Sequence, residues 1–248
     1  MPSIGIIGGT GLNHWGEPLG IHQPGGCYGE PSAVLQEYLV NGVRVLFLPR
    51  HGVGHRIPPH AVNYRANIDL FKQSQVDGII AVNAVGGISS ANAPGTLTLP
   101  DQLIDYSWGR AHTYSMSADD ELLHIDFAAP FSGPLRTCLL HAAALSKVEI
   151  TNGGCLAVTQ GPRLETAAEI QKYKRDGCDM VGMTSMPEAA LAREAGLDYA
   201  SLCVNANWAA GLEEEAITMQ AVHQVLEAAM INVRKLLQAL FEELPRAR

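Results

Sequence analysis

Several things are scarce in this chain, and each scarcity closes a class of function. None of its five cysteines, Cys27, Cys138, Cys155, Cys178 and Cys203, stands in a C-x-x-C pair, so neither a zinc site nor a disulfide framework is implied and all five read as small core residues. There is no run of about 18 apolar residues to span a bilayer. Met1-Pro2-Ser3 leads straight into an apolar run without a basic leader, so a soluble cytoplasmic protein with no membrane partner is expected. Lys and Arg number 17 against 25 Asp and Glu, a formal charge of -8. The cations are also scattered, which argues against a nucleic-acid partner, because phosphate backbones need them clustered. No flexible linker, internal repeat or low-complexity tract divides the 248 residues, 47% hydrophobic and 17% charged. That is the composition of one globular domain over 1–248 with a sizeable core.

What is present is an alternation of strands and helices. Residues 3–7 form a short apolar run ended by glycines, a buried strand feeding a turn. "VLQEYLVNGVRVLFLPRHG" holds two apolar runs around Asn41-Gly42, a dipeptide that supplies positive φ at both centres of a type I′ turn, and so predicts a hairpin. Helices are expected over 61–75, 135–145, 166–176 and 187–195, and strands over 78–84, 103–106, 155–159, near Met180 and over 199–204. A long final helix carries Val222, Val225, Leu226, Ala229, Val233, Leu236, Leu237 and Leu240 at the spacing of one buried stripe. The pattern predicts an α/β protein, a single domain with a central mixed β-sheet flanked by helices.

In such sheets ligands collect beyond the carboxyl ends of strands. Six of these ends carry polar or glycine-rich groups: Gly8-Gly9-Thr10-Gly11, Arg50-His51-Gly52, Asn83-Ala84, Gln160-Gly161-Pro162-Arg163, Met183-Thr184-Ser185 and Asn205-Ala206-Asn207. They predict one shared pocket. The first group fails as a dinucleotide fingerprint, since His14 stands where the third glycine of G-x-G-x-x-G belongs and no acidic residue ends a second strand about 20 residues on. It reads either as a bare tight turn or as glycine N–H groups and the Thr10 hydroxyl donating to an oxyanion. Arg50 can grip a phosphate or carboxylate through two parallel bonds, with an imidazole N–H of His51 beside it. Thr184 adds a donor just ahead of a helix start, where Ser185-x-x-Glu188 with Pro187 fits a capping box. R-H-G also opens phosphohistidine phosphatases, with the histidine as nucleophile, but on their first strand. A metal on His51, His55 and His60 meets a spacing broken by Pro58-Pro59, and none is expected.

The stretches "GIIGGTGL", "RHG", "VNYRANI", "NAVGGI", "DQLIDY", "QGPRLETAAEI", "GMTSMPEAALAREAGLDYASL" and the tail from Asn205 run in one order from Ile4 to about Leu240. In this the chain resembles the trimeric purine nucleoside phosphorylases, most closely their methylthioadenosine and methylthioinosine phosphorylase branch. The resemblance implies a homotrimer with active sites near subunit interfaces and no metal or organic cofactor. Inorganic phosphate, the co-substrate, attacks C1′ of a purine nucleoside and releases the base. Carried onto this sequence, phosphate meets Thr10, Arg50, His51, Ala84 and Thr184, with Asn83 where the family has threonine, and Met183 lies under the ribose. Glu165 and Asn205 are the positions that read the base and assist its departure, and Asn207 can share or take the role of Asn205.

The family's adenine-cleaving members carry Ser or Thr and then Asp at those two positions, so Glu165 and Asn205 match the 6-oxopurine pattern. Hypoxanthine N1–H can donate to Glu165, whereas adenine N1 would face its lone pairs. Asn205 can donate to O6 and accept from a protonated N7. Relatives that take inosine or guanosine place a histidine on the last helix for the 5′-hydroxyl. Val222 corresponds here, with Met219 one turn before, although a shift of one residue would restore His223. His124 corresponds to a residue that reaches the neighbouring subunit's 5′ pocket. The implied reaction converts a 6-oxopurine 5′-methylthionucleoside to hypoxanthine and 5-methylthioribose 1-phosphate in purine salvage. Alternatives are the 6-amino methylthionucleoside and inosine or guanosine. A non-catalytic nucleoside sensor would not need a complete phosphate site.

Overall fold

The computed structural model describes residues 1–9, 12, 15–23, 25–120 and 122–244. In chain order the elements are β1 (Ser3–Gly8), β2 (Gly20–His22), β3 (Leu35–Val40), β4 (Val43–Pro49), α1 (Tyr64–Gln73), β5 (Gly78–Gly87), β6 (Leu97–Leu99), β7 (Gln102–Asp105), α2 (Pro134–Ser146), β8 (Thr151–Asn152), β9 (Cys155–Val158), α3 (Ala167–Arg175), β10 (Met180–Gly182), α4 (Ser185–Glu194), β11 (Asp198–Trp208) and α5 (Met219–Glu243). Asn41 and Gly42 both take positive φ, 48° and 78°, and join β3 to β4 in the expected hairpin. The helix expected from 61 starts instead at Tyr64, because Asn63 caps it by accepting from the Ala66 N–H and Pro59–Ala61 form a separate 3-10 turn. β5 runs past 84 to Gly87, since both closing glycines pair with neighbouring strands.

The strands form one mixed sheet, ordered β2-β3-β4-β1-β5-β10-β9-β7, with β11 paired to β5 and β6. Successive strand residues point to opposite faces, and each face is covered by helices. Ile4, Ile6, Leu202 and Val204 pack with Leu135 and Leu139 of α2 and Val233, Leu236, Leu237 and Leu240 of α5. Ile7, Leu46, Leu48 and Ile79 pack on the other face with Ile68 and Phe71 of α1 and Leu191 of α4. A Cβ at Gly5 would stand 2.7 Å from the Phe71 ring, so glycine lets α1 close on β1. Among the described residues no helix is long and apolar enough to cross a membrane.

The sheet forks at β5. Its first residues, Gly78 to Ala81, pair with Ile4 to Ile7 of β1, and on the same edge β10 takes over only at Gly86 and Gly87. β11 follows the whole opposite edge. Residues 82–85 therefore lack a strand partner on one side among the described residues, and Ala84, in the middle of this gap, is the one exposed residue of β5.

Candidate functional site

The ends of β1, β4 and β10 meet at this gap. The Arg50 backbone N–H donates to the Gly8 carbonyl at 3.1 Å, and its guanidinium reaches the Val82 carbonyl at 3.2 Å. Nε and Nη2 of Arg50 donate to the two oxygens of Glu188 at 2.8 and 2.9 Å, with the side chains 3% and 0% exposed. The Tyr199 hydroxyl donates to the same carboxylate at 2.9 Å. Glu188 therefore does not close the capping box expected from Ser185. The N-cap is Thr184, without a side-chain cap bond, and Met186 leaves helical geometry before Pro187. The physical reason is a buried guanidinium, which needs a counter-charge more than a helix start needs a cap. Burial pushes the Arg50 pKa down, and the Glu188 carboxylate more than reverses this, so Arg50 stays charged. Three of its five N–H donors are engaged, leaving two.

His51 Nδ1 lies 2.8 Å from the Ile57 carbonyl. A carbonyl only accepts, so Nδ1 carries the proton, and the neutral ring presents Nε2 as an acceptor rather than the N–H expected from the sequence. Burial lowers the His51 pKa to about 4, with the Arg50 and His55 charges adding to the effect and the Ile57 hydrogen bond opposing it. The ring of His55 stands 4.3 Å away. Its pKa is lowered by burial and then by His223 and Arg50, which brings His223 of α5 to this rim while Val222 is buried.

His51 gives a testable pH dependence. Its pKa drops from 6.5 in the unfolded chain to about 4 on folding, so its stabilising contribution is complete above pH 6.5 and is lost as pH falls through 4. A loss of up to about 3 kcal/mol is expected over that window. Urea unfolding of the wild type and His51→Asn from pH 7.5 to 4 checks this, with the variant expected to show the smaller decline.

Asn83 is buried beneath the gap. Its Oδ1 accepts from the Thr184 hydroxyl at 3.0 Å and its Nδ2 donates to Ser201 Oγ at 2.8 Å, so it braces Thr184 from below. Gly9 is exposed, and among the described residues, its chain neighbours aside, no atom lies within 4 Å of where its Cβ would be. Thr10 lies outside the described residues. Met183 is half-buried.

On the β9 side, the Thr159 hydroxyl donates to Glu165 Oε1 at 2.7 Å. The capping box of α3 is built by Thr166 and Glu169, so the half-buried Glu165 carboxylate is not consumed by the helix start beside it. Asn205 is fully buried, and its Nδ2 donates to Thr96 Oγ1, Thr96 O and Thr98 Oγ1 at 3.0, 3.2 and 3.1 Å. The amide N–H groups expected to reach a purine O6 are thus already engaged. Its Oδ1 is buried without a partner among the described residues. Asn207, beyond a β-bulge, donates to the Trp208 carbonyl. Met219, at the start of α5, and His124 are exposed. No three or more His, Cys, Asp or Glu side chains are grouped to hold a metal among the described residues.

Sequence reasoning missed Arg110. Its nearly buried guanidinium donates to the carbonyls of Thr159 and Gln160 at 3.1 and 2.9 Å and to that of Met183 at 2.8 Å. It therefore fastens the segment after β9 to the segment after β10. A lone arginine between glycine and alanine carries no pattern that could have revealed this.

Residues 3–242 match the family model described as the phosphorylase superfamily. The chain is 46% identical over 241 residues to a probable S-methyl-5′-thioinosine phosphorylase of Xanthomonas campestris, covering 96% of each chain. It is 48% identical to one of Pseudomonas syringae, covering 94% of this chain and 96% of that one. Among solved structures, methylthioadenosine phosphorylase from Schistosoma mansoni in complex with adenine superposes with a TM-score of 0.93 at 33% identity, over 100% of this chain and 93% of that one.

Proposed function

Since this chain belongs to the phosphorylase superfamily, we propose that the cleft at β5 phosphorolyses a 6-oxopurine 5′-methylthionucleoside, S-methyl-5′-thioinosine, to hypoxanthine and 5-methylthioribose 1-phosphate. The protein acts as a cytoplasmic homotrimer with inorganic phosphate as its sole co-substrate. The observation that carries this reading is the gap at 82–85, where Ala84 is exposed beside a charged Arg50 with donors to spare. Relatives that carry the activity in their names support the choice of nucleoside.

Phosphate sits against Gly9 and Thr10, the two remaining Arg50 N–H groups, the Ala84 backbone and the backbone of Thr184, whose hydroxyl proton is spent on Asn83. His51 Nε2 accepts a hydrogen bond from the hydroxyl of hydrogenphosphate. Phosphate so held stands beneath C1′ above Met183. As the C1′–N9 bond stretches, positive charge grows on the sugar and negative charge on the purine, and groups fixed in place for those charges lower the barrier most. Positioning the two reactants contributes on the order of several kcal/mol more. Glu165 receives N1–H of the keto purine and Asn205 Oδ1 receives a proton-bearing N7. Val222 and Met219 wall the 5′ group, with His124 reaching in from the neighbouring subunit.

Two observations favour other substrates. The unpartnered Asn205 Oδ1 also suits an exocyclic amine, which would allow the 6-amino thionucleoside, and His223 near His55 suits a 5′-hydroxyl, which would allow inosine. Base release from methylthioinosine, methylthioadenosine and inosine, each with phosphate, decides among them. Methylthioinosine is expected to be the fastest, and a faster adenine thionucleoside would overturn the reading.

A further inference from the structure

The surroundings of Asn205 fix which end of its amide is left to accept a further hydrogen bond. Around its Nδ2 stand the Thr96 carbonyl, which can only accept, and two hydroxyl oxygens, Thr96 Oγ1 and Thr98 Oγ1. A threonine hydroxyl has one proton, and both of these protons are used elsewhere. Thr96 donates to the Ala93 carbonyl at 2.7 Å, and Thr98 donates to Asn92 Oδ1 at 2.6 Å. Asn92 is oriented in turn, because its own Nδ2 donates to Ser89 Oγ at 2.9 Å. Both hydroxyls consequently turn lone pairs toward Asn205. Flipping the amide would set its carbonyl against three acceptors, and each group of a partly satisfied buried network is costly.

We infer that Thr96, Thr98 and Asn92 are positioning residues that hold Asn205 as a pure acceptor, reserved for the N7–H of the departing purine, and that they leave the choice between keto and amino bases to Glu165. The inference rests on the reading of the cleft given above. A ligand meeting Oδ1 must bring a donor. O6 of hypoxanthine has none, whereas N7 acquires one when the base leaves protonated there.

The test is binding of two free bases, hypoxanthine and 7-deazahypoxanthine, by titration calorimetry in the presence of phosphate. The deaza base has C–H in place of N7 and offers no such donor. Wild type is expected to prefer hypoxanthine by about tenfold or more, the scale of one lost buried hydrogen bond. Thr98→Val, close in shape but lacking the acceptor, is expected to erase most of that preference by weakening hypoxanthine alone. Thr98→Ser is expected to restore it. Thr96→Val gives a second route should Thr98→Val not fold, as judged by melting. Equal weakening of both bases in a folded variant, or an unchanged preference, overturns the inference. Failure of the underlying reading shows separately, as absence of hypoxanthine release from methylthioinosine by the wild type.

Discussion

Glu188→Gln is expected to cost the fold about 3–5 kcal/mol, because it strips the counter-charge from a nearly buried guanidinium. Arg50 and Glu188 are joined by two hydrogen bonds of 2.8 and 2.9 Å, and their side chains are 3% and 0% exposed. A glutamine can still accept from one Arg50 nitrogen, but its amide N–H groups then meet the donors of Arg50 and the Tyr199 hydroxyl. Breaking one side of a buried pair is costlier than removing both. The double change Arg50→Met with Glu188→Leu is therefore expected to recover much of the lost stability while losing phosphorolysis. Urea unfolding of the three proteins measures this. A loss below about 1 kcal/mol for Glu188→Gln would mean that the Arg50 charge is compensated elsewhere.

The second large effect is on selectivity. Glu165→Ser removes the acceptor for a keto purine's N1–H and substitutes a hydroxyl that can donate to adenine N1. The mismatch changes sides. With roughly 1–3 kcal/mol for each buried group left unpaired, the ratio of kcat/KM for methylthioinosine over methylthioadenosine is expected to fall by about 100-fold. Steady-state rates on the two nucleosides provide the measurement, and an unchanged ratio would dismiss Glu165 as the base reader. Adding Asn205→Asp is not expected to help, since the new carboxylate oxygen would face the Thr96 carbonyl that now accepts from Nδ2.

Features set by neighbours in the chain were legible before any coordinates. Asn41-Gly42 demanded positive φ twice and received it, and the stripe from Val222 to Leu240 lies buried along α5 apart from Val225 and Leu226, which are half-buried. Glu188 was misread because its partner lies 138 positions away, while a capping-box pattern stood close at hand. The same holds for Arg110, whose backbone acceptors sit 49 to 76 positions on. β6 and β8, three and two residues long, are too short to carry a periodicity and exist only because strands from elsewhere pair with them. In the site, residue types were readable but hydrogen-bond polarity was not. The imidazole nitrogen that His51 turns outward and the end of the Asn205 amide left free are decided by Ile57 and by Thr96 and Thr98.

β5 changes neighbours partway along its length, and this makes the slot an aperture whose width is counted in residues. β1 lets go after Ile7 meets Ala81, and β10 catches hold at Gly86. A Cβ on Gly8, at the lip, would stand 2.3 Å from the Leu12 side chain. Exchanging side chains on the rim would tune what the slot admits, whereas extending the pairing of either flanking strand along β5 would narrow it.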